Sequence, residues 1–303
     1  MKHYKIDSNL SEKHVRRLVS LSERGFSSQL ESLCDRLLLQ EELHFLGLTG
    51  PTCSGKTTAA ELLTDAFEAD GKRIHVISID DFFYEKKDLL ELSREKGLKR
   101  LDYDSEDTID MPFLHACVES LKNGQKTQLP KFNFITGARE IGKTITPSVK
   151  DVFLFEGIQV LYPQVDFALR SDAYQSIHIA PQSSIEVGGE CFLPNEIRLM
   201  RRLVRDYRFR NALPEFTLML WQSVRENEER LIFPNTDRCD FSIDSTMPYE
   251  IGILKPFLDE ILSKIPLENE FYPKAEQITR RLRQVQPLSA ELIVEKSLYK
   301  EFV

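Results

Sequence analysis

The chain has 303 residues, with 40 Lys and Arg against 48 Asp and Glu, a formal net charge of −8, and 41% hydrophobic and 29% charged residues. That length holds one large α/β domain or two average ones, and the balance excludes disordered and fibrous chains. A pI near 5.4 and a mean hydropathy of −0.32 argue against a general nucleic-acid coat, which rests on many cationic phosphate contacts.

In chain order, Val15, Leu18, Val19 and then Leu30, Leu33, Leu37 and Leu38 recur at helical spacing. The interruption near Gly25 predicts a helical hairpin, a leader over 1–42. Residues 43–49 form a short apolar run that turns into a Gly/Ser loop, followed by a helix over 56–69 closed by Gly71. Further strands are predicted at 74–79, 152–155 and 176–180, and a late one at 240–246. Residues 84–110 read as a charged surface insertion, 196–231 and 249–264 as helices, and the tail after Pro266 as helical and polar. Strands alternating with helices imply a parallel sheet. The longest apolar stretch, 152–162, contains Glu156 and is far shorter than the roughly 20 residues of a membrane helix. The polar start of the chain lacks the apolar core of a signal peptide, so a cytoplasmic protein is expected. The five cysteines show no CxxC spacing, and neither a disulfide framework nor a zinc site is indicated.

The chemistry concentrates in one loop. Gly50, Pro51, Thr52, Cys53, Ser54, Gly55, Lys56 and Thr57, with Thr58 following, fit G-x-x-x-x-G-K-[ST] between a predicted strand and a predicted helix, the context that gives this motif its meaning. Such a loop turns consecutive backbone N–H groups into one concavity at a helix N-terminus, where an anion is stabilised. Lys56 then reaches the β/γ-phosphates of a nucleotide, and the Thr57 hydroxyl is a hard oxygen ligand for magnesium. Acidic residues that end strands of a parallel sheet face the same crevice. Glu156 is placed to hold magnesium. Asp80 and Asp81 end the second strand, and alternation of side chains predicts that only one of them enters. Transfer of a γ-phosphoryl to a hydroxyl needs a carboxylate beside that hydroxyl as well as a metal ligand, so two separated acidic sites favour a small-molecule kinase. In the helix over 197–210, Arg198, Arg201, Arg202, Arg205 and Arg208 fall on one side. In an acidic protein, a face of like charges at helical spacing predicts an anion partner, as in a lid closing over ATP.

These segments together resemble the uridine kinase and phosphoribulokinase family of phosphate-loop kinases. The likeness covers roughly 44–262 and rests on GPTCSGKTT, VISIDDFF, LDYDSEDTID, LPKFNFITGARE, DVFLFEGI and RLMRRLVRDYRFR, in that order. The wording is nearest to bacterial uridine kinase-like proteins that also carry PKFNF, RDYRFR and a terminal segment similar to SLYKEF. Longer members of that group have an N-terminal ubiquitin-like TGS domain, for which the stretch before Gly50 is too short. The resemblance implies an α/β P-loop NTPase fold: a parallel sheet flanked by helices over 43–264, an arginine lid helix around 196–212, and helical extensions at 1–42 and 265–303. It implies Mg-ATP as phosphate donor, Asp80 as general base, and Thr57 and Glu156 as magnesium ligands. It further implies that Asp104 holds sugar hydroxyls, that Arg202, Arg205 and Arg210 lie near the phosphates, and that Arg139 ends a substrate hairpin. The catalytic residues are therefore expected to be Asp80, Lys56, Arg202 and Arg205. Phe132 stands where pyrimidine kinases carry a stacking tyrosine, and Gly137 replaces a base-contacting histidine. Ala212 and Leu220 stand at further nucleoside-contacting positions. The expected activity is an ATP-dependent kinase of a small hydroxylated metabolite, a nucleoside such as uridine first. Pantothenate, a glycerate-like acid or a sugar phosphate is the alternative acceptor, and a nucleotide-binding regulatory protein with little turnover is a third reading. No NKxD or DxxG segment favours a GTPase. Neither nucleic acid nor membrane is an expected partner, and a homo-oligomer is compatible with the sequence.

Overall fold

A computed structural model describes residues 2–40, 42–95, 97 and 105–303. Strand β1 (His3–Ile6) leads into helix α1 (Glu12–Leu38), then β2 (Phe45–Thr49), α2 (Lys56–Ala69) and β3 (Arg73–Ser78). Next come α3 (Lys86–Glu95), α4 (Met111–Lys122), β4 (Thr127–Asn133), β5 (Ala138–Ile145), β6 (Asp151–Glu156) and α5 (Pro163–Leu169). The second half holds β7 (Tyr174–Ala180), β8 (Ser184–Val187), β9 (Glu190–Phe192), α6 (Pro194–Phe209), α7 (Pro214–Asn227), β10 (Phe241–Asp244), α8 (Glu250–Leu262) and α9 (Tyr272–Leu282).

The five predicted strands form one five-stranded sheet in the order β10-β7-β2-β6-β3, every neighbouring pair parallel. Pleating divides its side chains between two cores. Leu46, Leu48, Val152 and Leu154 join the cluster under α1, α2, α6 and α8. Phe45, Phe153 and Phe155 join the cluster under α4, α5 and the β4-β5 hairpin. Burial on both faces explains why β2 and β6 read as unbroken apolar runs rather than alternating ones.

Four expectations change. The leader is not a hairpin: α1 runs for 27 residues straight through Gly25. A mid-helix glycine costs roughly 0.5–1 kcal/mol relative to alanine, which burial of Val15, Val19, Phe26, Leu30, Leu33 and Leu37 in the main core offsets. Two small sheets add to the predicted one, β1-β8-β9 and the β4-β5 pair. The 84–110 stretch is not all surface, because Leu89 and Ile109 are each 2% exposed. The tail is not simply helical and polar either. After α9 it runs in turns, and Leu298, Tyr299 and Phe302 are completely buried.

Candidate active site at the carboxyl end of the sheet

Strands β2, β6 and β3 lie side by side, so the loop after β2, Glu156 at the end of β6 and Asp80 just after β3 meet at one edge. They line a cleft of about 370 Å³ together with Arg202, Arg205 and Arg210 of the α6 region. The loop's shape follows from its residues. Gly50 admits no side chain, since a Cβ there would fall 2.0 Å from the Ile179 carbonyl oxygen. Cys53 (φ 58°) and Gly55 (φ 93°) are both left-handed, which curls the chain so that N–H groups face inward at the start of α2.

The outward-facing carbonyls need partners, and α6 supplies them. Arg198 donates from Nη1 to the Thr52 carbonyl at 3.4 Å, and Arg201 from Nη1 to that of Cys53 at 3.2 Å. Both guanidiniums are buried, at 2% and 0% exposure. Arg198 is held by two 2.6 Å bonds to Glu228, and Arg201 by bonds of 2.8 and 3.1 Å to Glu250. The expected single arginine face is thereby corrected. Arg198 and Arg201 are braces of the loop held by buried carboxylates, Glu228 being shared with Arg225, and Arg202 and Arg205 of the same helix reach the cleft. There they share one acid: Arg202 Nε and Arg205 Nη2 lie 3.1 and 2.7 Å from Asp206. Arg210 Nε is 3.7 Å from the same carboxylate. Three cations on one acid leave a local positive excess that suits an anion.

Lys56 is half-buried, and its ammonium donates to the carbonyls of Gly50 at 2.8 Å and Pro51 at 3.3 Å. Burial pushes its pKa down, against the pull of Glu156, Glu301 and Asp80. Asp80 faces the cleft, and its Oδ1 accepts from Gln159 Nε2 at 2.6 Å. Asp81 turns to the hairpin instead, accepting the Phe132 N–H at 3.0 Å and pairing with Lys131 at 3.2 Å. The Thr57 hydroxyl and Glu156 carboxylate, with room for phosphate and water oxygens, are the hard-oxygen donors magnesium takes. The buried Ser54 hydroxyl in the loop has no hydrogen-bond partner, as fits a loop built around a ligand.

On the acceptor side the structure departs from the sequence reading. Phe132 is 3% exposed and packs edge-on against Phe83, at 5.7 Å between ring centroids. The aromatic that opens to solvent is Phe134, 62% exposed, and it lines the cleft with Phe83 and Tyr162. Arg139 is not among the cleft residues: it pairs with Asp110 at 2.9 Å and lies over the Phe113 ring at 5.0 Å. Asp104 lies outside the described residues. Ala212 and Leu220 also stand away from the cleft, whose far wall is made by Val224, Asn227 and Ile232. Sequence reasoning missed Phe134, Gln159, Asn227 and Glu301. Phe134 and Glu301 lie within LPKFNFITGARE and SLYKEF, and Gln159 follows directly on DVFLFEGI, which was the signal available for them.

A parallel sheet with this loop, this strand order and these strand-end carboxylates defines the P-loop kinase fold. The family model of the Phosphoribulokinase / Uridine kinase family matches residues 45–251, and the chain belongs to that family. It is 28% identical over 199 residues to uridine-cytidine kinase B of Dictyostelium discoideum, covering 65% of this chain and 73% of that protein. Uridine kinase-like protein 4 of Arabidopsis thaliana is 26% identical over 168 residues, 55% of this chain. The chain spans only about a third (31%) of that relative's length. Among solved structures, a candidate fructose transport system kinase from Silicibacter sp. TM1040 superposes with a TM-score of 0.52 at 20% identity, over 70% of this chain and 98% of that one.

Proposed function

We propose that the protein transfers the γ-phosphoryl group of Mg-ATP to a hydroxyl of a small metabolite. The observation that carries this reading is the convergence of the phosphate loop, Glu156 and Asp80 on one cleft from three adjacent strand ends. Asp80, oriented by the Gln159 amide, takes the proton of the acceptor hydroxyl as that oxygen attacks phosphorus. Lys56, Arg202 and Arg205 carry the charge of the transferring group, and Arg210 adds to the positive field around it. Thr57 and Glu156 would hold magnesium, which when bound neutralises charge on the β- and γ-phosphate oxygens. The relatives named as uridine and uridine-cytidine kinases make a nucleoside the first acceptor to test.

A second acceptor class rests on a specific observation. Phe132 is turned into the core, and the aromatic wall of the cleft is the exposed Phe134 backed by the buried rings of Phe83 and Tyr162, with Gln159 and Asn227 beside it. That wall suits a flat or apolar body carrying a hydroxyl and does not by itself demand a pyrimidine. A coupled ADP-release assay across nucleosides, pantothenate, glycerate and sugars decides between the two. Asp80→Asn is expected to lower turnover on the preferred acceptor by about 10²–10⁴-fold, the range for loss of a general base, with ADP affinity unchanged. Turnover retained by that variant removes Asp80 from the role, and absence of acceptor-dependent ADP release removes the kinase reading.

A further inference from the structure

The terminal segment packs into the main core and sends one side chain, that of Glu301, to the cleft. Glu301 lines the cleft, and its Oε1 accepts the backbone N–H of Thr58 at 2.8 Å and the Thr58 hydroxyl at 2.6 Å. Lys56 and Arg205 both feel its charge. Thr58 is the third residue of α2, and the next N–H along, that of Ala59, is already bonded to the Gly55 carbonyl at 3.1 Å. The Thr58 N–H therefore belongs to the first-turn donors that a P-loop offers to the inner phosphates of a nucleotide.

The segment that presents Glu301 is anchored on both sides. Leu298 lies against Gly55, where an added Cβ would meet the Leu298 Cβ at 3.7 Å. Tyr299 bonds through its phenol oxygen to Glu250 and accepts from Arg201 Nε at 3.1 Å. The Arg201 guanidinium stands over the rings of Tyr299 and Phe302 at 5.3 and 5.5 Å. The brace that holds the Cys53 carbonyl thus also fixes the tail. Between these anchors the Glu301 side chain is half-buried.

We infer that Glu301 is a resident anion in the nucleotide site: its carboxylate holds the Thr58 donors until a phosphate oxygen displaces it, and so sets nucleotide affinity. A single N–H makes one strong hydrogen bond, so Glu301 and a phosphate oxygen compete for it, and a carboxylate left beside the incoming phosphate adds like-charge repulsion. The inference rests on the proposed kinase reading only for the identity of the ligand.

Full-length wild type, E301A and E301Q are titrated calorimetrically with ADP and with adenosine, which lacks phosphate. E301A is expected to bind ADP about tenfold more tightly, the size of one released charge-assisted contact, with adenosine affinity unchanged. E301Q keeps an acceptor oxygen without the charge and is expected to show part of that gain; it carries the test where E301A does not fold. ADP affinity equal to or weaker than wild type overturns the inference, as does an equal gain for adenosine, which would mean general loosening. A gain for ADP with no turnover on any acceptor keeps this inference and removes the kinase reading. Turnover with unchanged ADP affinity does the reverse, and no ADP binding by any variant overturns both.

Discussion

Arg201 and Arg202 are neighbours in the chain, yet they belong to two rows of α6 that do different physical work. The inner row, Arg198 and Arg201, is dry. Each guanidinium is paired with a buried carboxylate, Arg201 with Glu250 and Arg198 with Glu228, which also takes Arg225, and spends a further donor on a carbonyl of the phosphate loop. The outer row, Arg202 and Arg205, extended by Arg210, shares Asp206 at the wall of the cleft. A guanidinium fully buried among its partners is a structural joint, whereas one that lines the cleft beside an acid it shares with two other arginines still has charge to offer a ligand. Positive charge at helical spacing is the same signal in both rows, and what separates them is where the acids come from.

The largest effect expected from this contrast is on the inner row. Arg201→Ala strands Glu250 in the core and is expected to cost about 3–5 kcal/mol of unfolding free energy, the usual result of halving a buried pair. Denaturant unfolding measures it. The double variant Arg201→Met with Glu250→Leu removes both charges and is expected to recover much of that stability. It would still bind ADP less well than wild type, because the Cys53 carbonyl has lost its donor. A double variant with ordinary ADP affinity would show that the brace does not shape the loop.

The outer row is expected to behave oppositely. Arg205→Ala should lower kcat by about 10²–10³-fold, the range for removing one preorganised group that stabilises transition-state charge, with a smaller loss of unfolding free energy than Arg201→Ala, because Asp206 keeps Arg202 and Arg210 as partners. A stability loss on the scale of Arg201→Ala, with little change in kcat, would collapse the two rows into one.

The same contrast explains what the sequence made legible. The loop, its flanking strand and helix, and the strand-end carboxylates are local patterns, each readable within about a dozen residues, and the five core strands could be placed from them. Partnerships that span the chain could not. Arg198 finds Glu228 30 residues on and Arg201 finds Glu250 49 residues on, so an arginine face with only Asp206 beside it looked unpaired. Thr58 meets Glu301 across 243 positions, and no spacing rule connects a phosphate loop to a terminal SLYKEF. The β1-β8 pair is equally remote, joining His3 to Ser184. Which phenylalanine faces the cleft was illegible for a different reason: β4 ends at Asn133, and the turn that follows swings Phe134 outward while Phe132 stays packed. Two residues of equal parity then no longer share a face.

The smallest expected effect concerns His178, which lies in β7 behind the loop, near both Lys56 of the cleft and Arg198 of the inner row. It is 7% exposed, and its Nε2 has no hydrogen-bond partner. Burial first, then Lys56 and Arg198, push its pKa down from 6.5 to about 4. The folded protein therefore keeps the imidazole neutral at pH values where the unfolded chain already binds a proton, and stability must fall as pH drops from about 6.5 towards about 4. Comparing unfolding at pH 7 and pH 4.5, His178→Gln is expected to lose about 2–3 kcal/mol less than wild type, since each pKa unit is worth about 1.4 kcal/mol. Equal losses in the two proteins would show that His178 titrates normally. Because burial is the leading cause and Arg198 the last, Arg198→Met is expected to leave most of this pH dependence in place. Its abolition in that variant would mean instead that the inner row acts on the imidazole as free charge, contrary to guanidiniums already matched by buried carboxylates.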